Sequence, residues 1–466
     1  MKGFARYLSI FAIIAVISIW GPIALATSAG DFLWEWYRLS SPGVSGGYGE
    51  AVVGAGDYVY LVKCLYASSS PEFYRYDPAS NTWTTASTKG LETGTFRNGT
   101  ALAWDGRDII YALVGGRYNK DSRKDFWMFN IRTKEWTRGP STPYAQGAGD
   151  ALTWSYYDNR LYAIVGSREH NGGRSFFIRY DPQTSTWERL PFIWRYTEDG
   201  AALAAAGEYI YALQGEAEER RGTENCKFAR YHIPTSEWEE LTPIPDPGGV
   251  GDGGSLVWAG LADPKLEDLL IALGGGAADE SPGHGVFAFS ISQNTWTKLP
   301  DLPCPVGYYV GNRLAIAAGR IFYWQGATKK YPCEGAAFGE LAFSPLCVDL
   351  SVSLLEGWKK SPEGEVYANI LVENLGGIVA PDVLVFIDLP GCYEKATVKL
   401  PDATEVQAMN YVVLSLGTVP AGGRLQLRIM GSVDPRYGET PILVTVSANV
   451  SECDLANNFL FLDVKF

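Results

Sequence analysis

A short phrase built on glycine returns along this chain at Gly49, Gly99, Gly149, Gly200 and Gly253, and polar side chains gather around it. Tyr48 and Glu50, Asn98 and Thr100, Asp150, Asp199 and Asp252 stand beside these glycines, and Asn312-Arg313 holds the matching place further on. Carboxylates and amides drawn into a ring are hard oxygen donors that hold Ca²⁺ or orient waters. The same groups also cap strand ends by accepting from backbone N–H groups. Next to them stand Phe96-Arg97, Tyr144, Trp194-Arg195-Tyr196 and Tyr308-Tyr309. Flat aromatic faces beside carboxylate and guanidinium suit a sugar ring, while aromatics so placed also pack neighbouring elements together. The candidate ligand-binding residues are therefore Glu50, Arg97, Asp150, Trp194, Arg195, Tyr196, Asp199, Asp252, Tyr308 and Arg313. No catalytic residue and no metal ligand is assigned.

Other chemistries find little support. GxSxG, HExxH and phosphate-loop patterns are absent, which weighs against common hydrolases and nucleotide enzymes. The histidines are three, His170, His232 and His284, and they do not group with tyrosines as a copper oxidase requires. No cofactor is expected. With 39 Lys and Arg against 52 Asp and Glu the net charge is −13, so a phosphate backbone is repelled and nucleic acid is not a partner. Seven cysteines include no CxxC pair, which removes zinc-ribbon and thioredoxin readings. Cys304 with Cys333, and Cys392 with Cys453, are candidate disulfides, although spacing does not fix connectivity. Asn98-Gly-Thr and Asn449-Val-Ser are glycosylation sequons.

What must position these residues is a repeat. Trp83, Trp136, Trp187, Trp238 and Trp296 follow one another at 53, 51, 51 and 58 residues, each closing a phrase such as FYRYDPASNTW or FIRYDPQTSTW. Such a period copies one supersecondary unit that cannot bury its apolar face alone. Each copy reads as a small-apolar strand (TALAWDG, AALAAAG), an apolar strand ending near glycine (IIYALVGG, YIYALQG), a strand closed by an aromatic, a turn, and the Trp strand. Four short antiparallel strands in about 50 residues make a propeller blade.

With the Gly115-Gly116 and Gly274-Gly275 doublets, the aromatic, the six-residue spacer and the Trp, residues 31–346 resemble kelch repeats. The first copy departs from the pattern, with Cys64 where the first glycine belongs. A sixth copy, RLAIAAGRIFYWQGA with GELAFSP, lacks its Trp, whereas Trp36-Tyr37-Arg38-Leu39 stands alone near the N-terminus. Residues 33–39 are therefore expected to pair antiparallel with 338–345 and close a six-bladed ring, covering otherwise exposed edges.

From Cys347 simple alternation replaces the repeat, as in VDLSVSLL, DVLVFIDL and ILVTVSANV, which predicts a β-sandwich over 347–466. VDLSV, GEVYANILVENLGG and ECDLANNFLFLDV resemble the CARDB-type, cell-adhesion-related Ig-like module of prokaryotic surface proteins, which implies a spacer or adhesive unit. At the other end, Lys2 and Arg6 precede an uncharged stretch from Tyr7 to Gly30, broken by Gly21-Pro22 and followed by Ala24-Leu25-Ala26. Residues 1–30 read as a secretory signal peptide or an uncleaved membrane anchor, and either exports the rest.

The expectation is an all-β, secreted or cell-surface protein whose propeller face engages a glycan or protein ligand, with membrane contact only through the possible anchor. The alternative implied by the kelch resemblance is a sugar-modifying enzyme of the sialic-acid mutarotase type, with acid–base residues at the channel.

Overall fold

The computed structural model describes residues 28–463 apart from 43–49, 64–69, 93, 98, 117–122, 148, 167–170, 198–199, 216–226, 247–248, 252, 276–284, 304–312, 326–337, 346–347, 362–364, 390–392, 403, 409–410, 434–440, 449–451 and 453–455. Residues 1–27 of the expected export segment, all seven cysteines with both candidate disulfides, the sequon asparagines Asn98 and Asn449, His170, His284, Asp199, Asp252 and Tyr308 lie outside these residues. The chain divides into two compact units, one of residues 1–29 and 35–342, the other of 30–34 and 343–466. Among the described residues no helix is long and apolar enough to cross a membrane.

Six four-stranded sheets account for the repeat. Sheet 3 shows the pattern: Ala151–Ser155, Arg160–Val165, Phe176–Asp181 and Thr186–Arg189 pair antiparallel in that order. The corresponding first strands are Ala51–Ala55, Ala101–Trp104, Ala202–Ala206, Ser255–Trp258 and Leu314–Ala317. Each of these inner strands packs beside the next, and the last returns to the first. Burial falls outward along each sheet. Second strands such as Ile109–Leu113 and Leu269–Leu273 are buried almost throughout, because sheets cover both their faces, and they read as continuous apolar runs. Fourth strands such as Thr186–Arg189 are mostly exposed.

The recurring tryptophan is the fastener between sheets. Its indole Nε1 donates to a backbone carbonyl in the segment that follows the preceding sheet: Trp136 to Ser87 at 3.1 Å, Trp187 to Pro140 at 3.0 Å, Trp238 to Pro191 at 2.8 Å, Trp296 to Thr242 at 2.8 Å. Trp83 donates likewise to Ser40, 2.8 Å away. Its ring meets a phenylalanine of the preceding sheet edge-on, as in Phe126–Trp187 and Phe73–Trp136 at 5.0 and 5.1 Å, a contact worth about 1 kcal/mol beyond its buried area. The spacer before each Trp is a turn whose residue two places ahead of the Trp is left-handed: Asn81, Lys134, Ser185, Ser236 and Asn294 have φ of 51–60°.

The sixth sheet is composite. Phe32–Arg38 is the outer neighbour of Phe338–Pro345, followed by Arg320–Trp324 and Leu314–Ala317. Leu39 N donates to Phe338 O at 3.2 Å while Phe32 and Trp34 meet Phe343, so the numbers run oppositely and the pair is antiparallel. The orphan Trp36 makes the same bond as its five counterparts, to Pro300 O at 2.9 Å. At the seam between sheets 6 and 1 the backbones nearly touch: a Cβ on Gly54 would lie 1.7 Å from Ile316 O.

The second unit holds two sheets. One runs Leu350–Lys360, Val366–Asn374, Arg424–Val433, Tyr393–Lys399, Glu405–Ala408, the other Tyr411–Val419, Ala380–Asp388, Pro441–Ser447, Phe459–Asp463. Strict alternation places Val383, Val385 and Ile387 in a core shared with Ile370, Val372 and Ile429 of the other sheet. Asn457 and Asn458 anchor the last strand, donating to Asp349 Oδ1 at 2.9 Å and Glu452 Oε2 at 2.8 Å. The outer face of the four-stranded sheet is apolar, with Leu384, Phe386, Tyr411, Val413, Phe459 and Phe461 exposed.

Candidate functional site

The strand registers align the copies residue by residue. The position just before Ala51, Ala101, Ala151, Ala202 and Ser255 then reads Glu50, Thr100, Asp150, Ala201 and Gly254, while Arg313 lies one place further along, level with Ala51, so two of the ten candidate ligand residues share one level and a third adjoins it. They do not present an open, charged mouth. Glu50 and Arg313 have no exposed surface, Asp150 is 4% exposed and Arg97 is 8% exposed.

Asp150, Arg97 and Arg313 are engaged in holding backbone, and Glu50 holds an indole. Asp150 Oδ1 accepts from Gly147 N at 2.9 Å and Gly166 N at 3.0 Å, tying the loop that leads into its strand to the glycine ending the next one. Its Oδ2 is buried without a hydrogen-bond partner, and burial raises the carboxyl well above the ordinary aspartate range, against the pull of those two N–H groups. Thr100 plays the equivalent part in sheet 2, its Oγ1 meeting Arg97 O at 2.6 Å and Val114 O at 3.1 Å. Arg97 Nη1 donates to Phe96 O at 3.1 Å.

Glu50 and Arg313 come together through Trp324. The indole Nε1 donates to Glu50 Oε2 at 2.8 Å, and Arg313 Nη1 donates to Trp324 O at 3.2 Å. Lys63 completes the cluster at the same seam; burial lowers its ammonium pKa, while Glu72 and Glu50 pull it back up. Sequence reasoning missed Lys63 and Trp324. Lys63 stands in a column with Val114, Val165, Gln214, Gly274 and Gln325 at the end of the second strands, and Trp324 lies one place earlier, level with Val62, which becomes visible only once register is known. The same register aligns Gly115 with Gly275, one place on from the doublet read in the sequence.

The remaining candidates separate. Trp194 is not an open stacking platform: it is 7% exposed and packs with Phe192 and Trp238 in the core between sheets 3 and 4. Arg195 is exposed and Tyr196 half-buried, with Tyr196 O accepting from Gln214 Nε2. Tyr144 lies flat on Phe176, ring centroids 3.6 Å apart. His232 takes the turn place of Asp77 and Asp181, its Nδ1 2.9 Å from Thr235 Oγ1. Among the described residues no three acidic, histidine or cysteine side chains converge as metal ligands.

The cavity along the axis opens at the other end of the inner strands. It measures about 400 Å³ and is lined by the inner strands of all six sheets from their second residues to the hairpin turns. Val52, Leu102, Leu152, Leu203, Leu256 and Leu314 form an apolar ring within it, each at most 5% exposed. Towards the turns come Trp104, Trp154, Tyr156, Trp258 and Asp57. Trp258 Nε1 donates to Glu267 O at 2.8 Å, whereas Trp104 Nε1 and Trp154 Nε1 have no acceptor. Aromatic and aliphatic walls of this kind suit the apolar face of a ring.

No family model matches the chain. It is similar to Kelch-like protein 36 of Bos taurus, 25% identical over 49% of this chain and 35% of that protein. A putative F-box/kelch-repeat protein of Arabidopsis thaliana is 27% identical over 34% of this chain and 48% of its own length. The N-acetylneuraminate epimerase of Haemophilus influenzae (strain 86-028NP) is 26% identical over 39% of this chain and 42% of its own length. The chain thus spans less than half the length of these curated relatives. Kelch-repeat relatives, together with repeated four-stranded antiparallel sheets, support a kelch β-propeller in an all-β chain.

Proposed function

We propose that this is an exported binding protein of the cell surface or extracellular space. In this reading a six-bladed kelch propeller engages a glycan or protein, and a CARDB-type Ig-like sandwich serves as stalk or adhesive module. One observation carries it: the described charged groups before the inner strands are buried and hold loops, while the axial cavity is walled by aromatic and aliphatic side chains. Catalysis needs ionisable groups that reach a substrate; a binding site needs shape, apolar faces and a few fixed donors. The apolar outer face of the four-stranded sheet supports an adhesive part for the second unit.

The test is a glycan-array and cell-wall binding screen with the full exported chain, repeated with Tyr156→Ala. Tyr156 is 45% exposed on the cavity rim, so its loss is expected to weaken axial binding with little effect on stability. A chain that binds neither glycan nor protein defeats the reading.

The second reading, a sugar-modifying enzyme of the mutarotase type, draws on the relative named N-acetylneuraminate epimerase. It would use Glu50, Arg97, Asp150 and Arg313, with Arg195, Asp199 and Asp252. Accelerated interconversion of N-acetylneuraminate forms, followed by NMR and abolished by Glu50→Gln, would establish it in place of the first.

A further inference from the structure

Sheets 2 and 3 superimpose in register, Phe126 on Phe177, which sets Arg123, Asp125 and Arg138 against Arg174, Phe176 and Arg189. In sheet 2 the acid neutralises both cations: Asp125 lies 3.7 Å from Arg123 Nη1 and 3.5 Å from Arg138 Nη2, and Glu92 adds a contact to Arg138 at 3.4 Å. Sheet 3 keeps the two arginines and replaces the acid with Phe176. The Arg189 guanidinium sits over that ring, 5.0 Å from its centroid. Other arginines of sheet 3 are paired, Arg160 with Asp181 at 2.9 Å and Arg179 with Glu188 at 2.7 Å. Among the described residues no carboxylate comes within ion-pair distance of Arg174, Arg189 or the neighbouring Arg195.

These three arginines line one cavity of about 550 Å³, walled by Phe176, Phe192 and Trp194. The backbone around it is fixed at four points. Leu190 N donates to Phe177 O at 2.9 Å and Ser175 N to Arg195 O at 3.1 Å; Thr197 N donates to Ser175 Oγ at 2.9 Å and Trp238 Nε1 to Pro191 O at 2.8 Å. Trp194, 7% exposed, forms part of the wall with its indole N–H buried. The result is a pre-formed hollow with three guanidinium forks and apolar walls, in a chain of net charge −13.

We infer that this cavity binds a saccharide bearing a carboxylate or a sulfate ester. Guanidinium forks match the paired oxygens of either group, and hydrogen bonds between charged partners are about twice as strong as neutral ones. Phe176, held between Tyr144 and Arg189, fixes that guanidinium in place, and Phe192 offers an apolar wall to the sugar ring. The volume is that of a small-ligand site, and the overall negative charge repels long polyanions such as nucleic acid. The inference rests on the binding reading above and gives its ligand a charge.

The experiment is calorimetric titration of the full chain with tetragalacturonate and with a sulfated disaccharide, against neutral galactotetraose. At least one acidic probe is expected to bind about tenfold or more tightly than the neutral one; which of them does so assigns carboxylate or sulfate. Arg174→Gln, Arg189→Gln and Arg195→Gln should each weaken acidic binding about tenfold, whereas Arg138→Gln, at the paired position of sheet 2, should leave it unchanged. Phe176→Asp, restoring the missing acid, should abolish acidic binding, with the melting curve read alongside to exclude unfolding. Equal affinity for the neutral probe, or unchanged acidic binding by the triple Arg→Gln variant, overturns the inference. Tighter binding of hexaglutamate than of either acidic sugar overturns the saccharide class. Neutral glycans bound alike by wild type and triple variant would sink this site and leave the binding reading standing; a chain binding nothing sinks both.

Discussion

Asp150 shows how a residue chosen for chemistry becomes a residue of architecture. Its two backbone partners need an acceptor where water does not reach, and the same burial keeps its proton on above the ordinary aspartate range. In that window the unfolded chain has released the proton that the folded chain holds. The folding equilibrium therefore weakens as pH rises from about 4 upward, with the contribution fully present below that range. Asp150→Asn keeps an acceptor oxygen and removes the titration, so its melting temperature should gain on wild type as pH increases, the two converging in acid. Asp150→Ala strands two buried N–H groups and should cost about 1–3 kcal/mol for each in chemical denaturation. A wild-type profile flat between acid and neutral pH would contradict this account. At the same scale, Trp36→Phe keeps an aromatic ring but loses the bond to Pro300 O, an expected cost of about 1 kcal/mol.

At the scale of the element, glycine matters where strands approach too closely for a side chain. Gly54 faces Ile316 O at the seam of sheets 6 and 1, so Gly54→Ala forces backbone apart and should cost on the order of 3 kcal/mol. Two residues on, Gly56 has φ of 60° but open space around it, so Gly56→Ala meets conformational strain alone, about 1–2 kcal/mol. Urea unfolding of the two variants should rank them in that order; the reverse order would mean the seam yields easily. The Trp phrase and its turn were legible in the sequence, since the aromatic, spacer and Trp recur at fixed offsets, whereas the left-handed residue of that turn came from the structure. The meeting of Glu50 with Trp324 was not, because the two stand in the first and last copies, 274 residues apart.

At the scale of the whole molecule, the segment 32–39 supplies both an outer strand and the sixth indole fastener. Removing residues 28–40 leaves Phe338–Ala342 as a bare edge and frees Pro300 O. The expected outcome is a large drop in melting temperature with concentration-dependent association, read by calorimetry and light scattering. A truncated chain that stays monomeric and melts as before would show that the ring does not depend on this strand.

The amino-acid sequence by itself determined the period, the strand character of each phrase and the change of pattern after residue 346, because local apolar alternation and turn chemistry are written within a few residues. It also marked Glu50, Thr100 and Asp150 as belonging to one level, since each follows the same glycine. Only the tertiary structure decided what those groups do. Whether a carboxylate faces a ligand or a buried N–H depends on residues scores of positions away, as Trp324 is from Glu50. The unpaired arginines of sheet 3 follow the same logic: their meaning lies in an aspartate that the neighbouring sheet has and theirs lacks.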